Sequence, residues 1–144
     1  VTSHTEALSI GQVSEATGLS VHALRFFERE GLFLRPIPRS AGGQRVYDPA
    51  DVEWLVLCNR LRDSGMSIAT LREFAALVRS GPGNEHERLA LLEEHERAVR
   101  ARIAELDASL AVIHGKVVTY RRSVGRGARQ RQSDAGQAGR RRPP

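Results

Sequence analysis

The chain has 144 residues, 40% of them hydrophobic and 27% charged, with 22 Lys and Arg against 17 Asp and Glu and a single Cys. That length supplies one small domain plus an appendage rather than two full cores. One cysteine rules out an intrachain disulfide and fits a reducing cytoplasm, and no stretch reaches the length that a membrane-spanning helix needs.

The net charge of +5 is unevenly placed. Residues 121–144 hold eight Arg and one Asp, a net +7, so residues 1–120 sum to −2. Affinity of the folded part for a polyanion must therefore come from where its charges stand, not from their total.

Residues 1–7 read as a flexible N-terminus. Ser9 then suits a helix N-cap, with Gln12 three residues on to close a capping box, and Ile10, Val13 and Ala16 recur at helical spacing. Thr17-Gly18 stops that helix, because Gly supplies the left-handed backbone of a C-terminal cap. Ser20 caps a second helix that runs to Glu30 and ends at Gly31. Two short helices joined by so brief a turn form a helix-turn-helix, whose second helix enters a DNA major groove. Leu32 to Tyr47 follows as a Gly-turned loop with Arg35, Arg39 and Arg45 and no acidic residue, which suits a wing gripping phosphates.

Asp48-Pro49, with Asp51 in the first turn, starts a third helix carrying Val52, Leu55, Val56, Cys58 and Leu61. Gly65 closes it. Ser67 caps a fourth helix with Ile68, Leu71, Phe74, Ala75 and Val78 at helical spacing. Residues 80–84 are a Gly- and Pro-rich linker, and beyond it the apolar period changes to 3.5. Leu89, Glu96, Ile103, Leu110 and Val117 fall at one heptad position; Leu92, Val99, Leu106, Ile113 and Tyr120 fall at the other. A helix over residues 85–120, ~50 Å long with so narrow a stripe, needs a partner to bury it. Glu96 breaks the stripe, either pairing with an arginine across the seam or lying where the helices splay. Residues 121–144, rich in Arg, Gly, Gln and Ser, read as a disordered basic tail, either adding salt-sensitive DNA affinity through Arg140 to Arg142 or only solubilising the chain.

Arg25-Phe26-Phe27-Glu28-Arg29-Glu30-Gly31-Leu32, followed by Gly43-Gln44-Arg45-Val46-Tyr47 and Asp51-Val52, resembles the DNA-binding domain of the MerR family of bacterial transcription regulators, over about Leu8 to Val78. The resemblance implies a mainly α fold: a winged helix-turn-helix over residues 8–79, then a long dimerisation helix. It implies a homodimer paired through an antiparallel coiled coil, built here from Leu92, Val99, Ile103, Leu106, Leu110, Ile113 and Val117. The partners expected are double-stranded promoter DNA and bacterial RNA polymerase on the same promoter, whose over-long spacer the dimer bends and untwists. Arg25, Arg45 and Tyr47 match DNA-contacting positions of the family. With them, Val21, His22, Ala23 and Phe26 are expected near bases or backbone, and Arg35 and Arg39 on phosphates. Phe26 has no phenol hydroxyl, so one contact open to a tyrosine there is missing.

No cofactor and no metal site are expected, since thiolate-rich sites need several converging ligands and His86, His95 and His114 flank the stripe. Cys58 is the remaining sensor candidate in what looks like the short-coil, aldehyde- or nitrosative-stress-responsive branch. That branch's usual cysteine falls near Arg60, about 200° of helix rotation away. Arg60 and Arg62 would lower the thiol pKa; apolar burial beside Leu57 and Leu61 would raise it and favours a structural role. No catalytic motif is present, so the chain is not read as an enzyme. An architectural or excisionase-like DNA-bending protein remains the alternative, and a coiled-coil adaptor a more distant one.

Overall fold

The computed structural model describes residues 6–140, so most of the expected flexible N-terminus (residues 1–5) and the last four residues, including Arg141 and Arg142, lie outside it. Five helices follow in order: α1 (Ile10–Thr17), α2 (Val21–Arg29), α3 (Pro49–Asp63), α4 (Ile68–Arg79) and α5 (Glu85–Ala138). The expected mainly α architecture, a winged helix-turn-helix followed by a long helix, is the one observed.

The local signals act as their chemistry dictates. Ser9 and Gln12 exchange hydrogen bonds in a capping box, and Asp48 and Asp51 do the same at α3, with Pro49 in the first turn. Ser20 and Ser67 accept from Ala23 N–H and Thr70 N–H. Gly18 takes φ 74° at the end of α1, a left-handed conformation that a side chain would strain. Each cap of this kind stabilises its helix by ~1 kcal/mol.

The chain divides after Val99 into two units. In the first, α1 packs on α2 and α3, and α3 packs on α4. Their shared core is built from Val13, Leu24, Leu32, Tyr47, Leu55 and Leu71, all essentially without solvent contact. Trp54 stacks on Phe74 at 5.7 Å and donates its indole N–H to Leu32 O at 2.7 Å, fixing α3 against both α4 and the turn after α2. Between α2 and α3 the chain makes no regular strand. It forms two isolated bridges, Arg39 with Arg45 and Leu8 with Tyr47. The first closes a tight turn in which Ser40 N–H donates to Gln44 O and Gly43 N–H to Ser40 O. The second fastens the base of this wing to the residues before α1.

The linker at 80–84 is an ordered turn. Asn84 donates to Leu77 O, Arg88 reaches back to Gly81 O, and the Glu85 carboxylate receives Gly83 N–H. The first turns of α5 then lie on the head. Leu91 and Leu92 pack against its core, and His95 shares a 2.7 Å hydrogen bond with Ser64. Leu92, expected in the dimer seam, is thus already half covered by its own chain.

In the second unit, α5 runs on to Ala138, so the expected end at Tyr120 and the expected disorder of residues 121–138 are corrected. Between Tyr120 and Ala138 there is no Pro, and Arg, Gln and Ala carry high helix propensity that offsets Gly125, Gly127 and Gly136. Lack of apolar residues argued against a packed core there, not against a helix.

Candidate nucleic-acid interface

Helix α2 divides sharply into two faces. Leu24 and Phe27 are buried in the head, and Phe27 meets Phe26 edge-on at 6.3 Å. His22, Arg25 and Arg29 are exposed and Phe26 is half-buried. These four stand at i, i+3, i+7 and i+4, which is one side of a helix. Arg25 makes no ion pair among the described residues, so its planar fork is free to meet a guanine edge or a phosphate. Val21 and Ala23 are half-buried, and Ala23 packs on the core. Arg29, not singled out from the sequence, stands four residues from Arg25 on the same side of α2.

The wing is held against this helix by Glu28. Its carboxylate receives Arg39 Nη2 at 3.0 Å and Arg45 Nε at 2.5 Å. The wing carries no acid of its own, and α2 supplies one. Each guanidinium has five N–H donors, so one bond to Glu28 leaves others for an anion. Arg39 and Arg45 are consequently oriented side by side, within the reach of one carboxylate, rather than loose on a surface hairpin. With Arg25 and Arg29 they make four arginines around one glutamate, a local excess of positive charge in a segment (1–120) that is negative in sum.

Arg35 and Tyr47 have a different placement from the one expected. Arg35 forks onto Asp51 through Nε at 3.2 Å and Nη2 at 2.6 Å, and meets Asp48 at 3.0 Å. The α3 capping box puts two carboxylates there, Asp51 is buried, and a bidentate arginine satisfies both. The Asp51 hydrogen bond raises the Arg35 pKa further above its usual value, the partial desolvation notwithstanding. Arg35 therefore fastens the base of the wing to α3. Tyr47 is fully buried, its ring 6.0 Å from Phe33, with a phenol oxygen that has no hydrogen-bond partner. Desolvation raises its pKa. Alternation along a basic loop cannot reveal that one of its residues turns inward to the core.

On α3 and α4, three arginines are engaged within the head. Arg72 pairs with Glu30, Arg79 donates to Gly31 O and Phe33 O, and Arg62 to Met66 O. Together they secure the turn after α2 and the α3–α4 corner. Cys58 has no solvent exposure, and burial pushes its thiol up to about 12. Nearby arginines do not reverse that, so at neutral pH the sulfur is a protonated core atom. Among the described residues no three His, Cys, Asp or Glu converge to hold a metal ion, and no helix is long and apolar enough to cross a membrane.

On the long helix, Ile103, Leu106, Leu110 and Ile113 are each more than half exposed, and Val117 is 37% exposed. Tyr120 and Val124 carry the same stripe a further turn, Val124 lying seven residues after Val117.

The family model described as MerR HTH family regulatory protein matches residues 8–77, and that described as MerR, DNA binding matches residues 52–115. An uncharacterised HTH-type transcriptional regulator of Haemophilus influenzae is 32% identical over 117 residues, covering 81% of this chain and 86% of the relative. The crystal structure of HiNmlR, a MerR family regulator lacking the sensor domain and bound to promoter DNA, matches with a TM-score of 0.75 at 31% identity. That match covers 85% of this chain and 96% of the other. A putative MerR family transcriptional regulator from Listeria monocytogenes matches with a TM-score of 0.80 at 27% identity, over 91% and 98% of the two chains.

Proposed function

The chain belongs to the MerR family of helix-turn-helix transcriptional regulators, DNA-binding proteins rather than enzymes, and from that premise we propose that it acts on promoter DNA as a homodimer. Two copies pair through the apolar stripe of α5 in an antiparallel coiled coil. The observation that carries this is the exposure of that stripe: Ile103, Leu106, Leu110 and Ile113 are bare at 53–61%. Burying about 100 Å² of each contributes ~2.5 kcal/mol per residue, an attraction only a facing helix can satisfy at that spacing.

A two-fold dimer presents two α2 helices to two half-sites one turn of DNA apart. His22, Arg25 and Arg29 face the groove, and Arg39 and Arg45 take the flanking phosphates. The dimer distorts the promoter spacer so that RNA polymerase, bound to the same DNA in the bacterial cytoplasm, engages both promoter elements. Specificity then comes partly from the deformability of the spacer. Support for a promoter target comes from HiNmlR, which was crystallised on promoter DNA.

The test is genome-wide mapping of where the purified protein binds. Palindromic sites inside promoter spacers are expected. Sites with no shared motif, or sites away from any promoter, would overturn the reading and favour an architectural DNA protein.

A further inference from the structure

Resting on the reading of the chain as a DNA-binding regulator, the geometry points to a second DNA-contacting surface on α5: an arginine stripe of Arg122, Arg126 and Arg129 that binds the phosphate backbone without reading its sequence.

At about 100° per residue, these three arginines fall within about 60° of one another around the helix axis. Ile113, Val117, Tyr120 and Val124 lie on the opposite side, within about 40° of diametrically across. The segment is therefore two-faced. One face is apolar through Val124 and continues the stripe that a second copy covers; the other carries the three arginines and stays outward when it does. All three arginines are exposed and none has an ion pair among the described residues. Asp134 is the only acid among residues 121–144; it lies off the stripe and already accepts from Gln130 at 2.9 Å. Gly125 stands beside the stripe. The nearest side chain to the space a Cβ would fill there is Arg129 itself at 4.0 Å, so an anion has access to the helix surface between the guanidinium groups.

The occupant is set by charge complementarity. Residues 1–120 carry a net −2 and residues 121–144 a net +7, so the positive excess of this DNA-binding chain lies in the segment that holds the stripe. Duplex DNA is the polyanion that such a chain meets at high local concentration, and arginines bind its phosphates by releasing condensed counterions. The spacing of four and three residues repeats the cation once per turn, which offers a row of charges to a row of phosphates. The three-residue stripe adds affinity that is uniform over sequence, while α2 selects the site.

The experiment compares the full chain with the triple variant Arg122→Gln/Arg126→Gln/Arg129→Gln and with its Lys counterpart, on a duplex of random sequence. Gln keeps helix propensity and stem length while removing charge. Loss of three phosphate contacts lowers the slope of log affinity against log salt by about 2.7, so between about 50 and 200 mM salt the native chain loses ~40-fold more affinity than the Gln variant. The Lys variant retains the native slope. An unchanged slope in the Gln variant overturns the proposal, and is also the outcome if the stripe meets an acidic protein instead. A slope equally reduced in the Lys variant overturns it too, since charge would then not be the cause. Selective binding to mapped promoter sites is measured in parallel; its absence in the native chain would sink the regulator reading itself, whatever the slopes on random DNA.

Discussion

Replacing Tyr47 by Phe is expected to stabilise the head and leave DNA affinity unchanged, although this tyrosine sits in the sequence where a backbone contact is expected. Its ring is completely buried and its hydroxyl meets no hydrogen-bond partner. An unsatisfied buried hydroxyl costs ~1–3 kcal/mol, and Phe keeps the ring while removing it. The core contacts with Phe33 survive, as does the backbone pairing with Leu8, which uses no side-chain atom. Taking the lower end as the gain, about 1 kcal/mol, the midpoint of thermal unfolding rises by roughly 4–8 °C for a domain of this size. Thermal melts of both proteins, followed in one buffer, read the shift directly. Alkaline titration supplies a second reading. Desolvation raises the folded-state phenol pKa above its ordinary value near 10, so the stability held in the neutral form is complete below pH 10 and drains away as pH climbs through the folded pKa. The Phe variant lacks that term and melts less steeply with pH. A lowered melting point, or a tenfold loss of DNA affinity (about 1.4 kcal/mol), would refute the argument by showing that the hydroxyl has a partner.

Three further outcomes follow from the same geometry. Arg25→Ala weakens specific DNA binding by roughly 1–3 kcal/mol while leaving the melting point in place, measured by titration at fixed salt; intact affinity would remove Arg25 from the interface. Ile103→Asp combined with Leu110→Asp yields monomers in sedimentation, because charges replace two stripe residues that are each more than half exposed; surviving dimers would displace the seam. Cys58 resists thiol reagents at neutral pH until urea unfolds the head, since its thiol titrates at about 12. Stability stored in the protonated thiol is complete below pH 9 and is lost between pH 9 and 12, at up to roughly 1.4 kcal/mol per unit. Labelling of the native protein as fast as a free thiol would show Cys58 to be accessible after all.

Capping chemistry and apolar spacing made the first four helices legible almost to the residue. Ser9, Ser20, Asp48 and Ser67 act at short range, so nothing distant had to be known. Long-range pairings were harder to read. Arg35, Arg39 and Arg45 look equivalent in a basic loop, yet Arg35 meets acids 13 and 16 residues further along, while the other two meet Glu28 from the preceding helix. Which acid each finds depends on how the wing folds over, and periodicity carries no trace of it. Tyr47 illustrates the same gap, since its ring packs inward beside Phe33, 14 residues back in the chain. The tail was misread for another reason. Low hydrophobicity reports the absence of a core, whereas a helix needs only propensity and a neighbouring helix to grow from.

The setting of Trp54 gives the protein a built-in optical probe. It is the only tryptophan in the chain, shielded from water, stacked on Phe74 and bonded to the carbonyl of Leu32. Its fluorescence therefore reports on the seal between α3, α4 and the turn after α2. Far-ultraviolet circular dichroism, by contrast, is weighted towards the long helix. Recorded together during one denaturation, the two signals resolve whether the DNA-reading head and the distal helix melt as a single cooperative unit or in sequence.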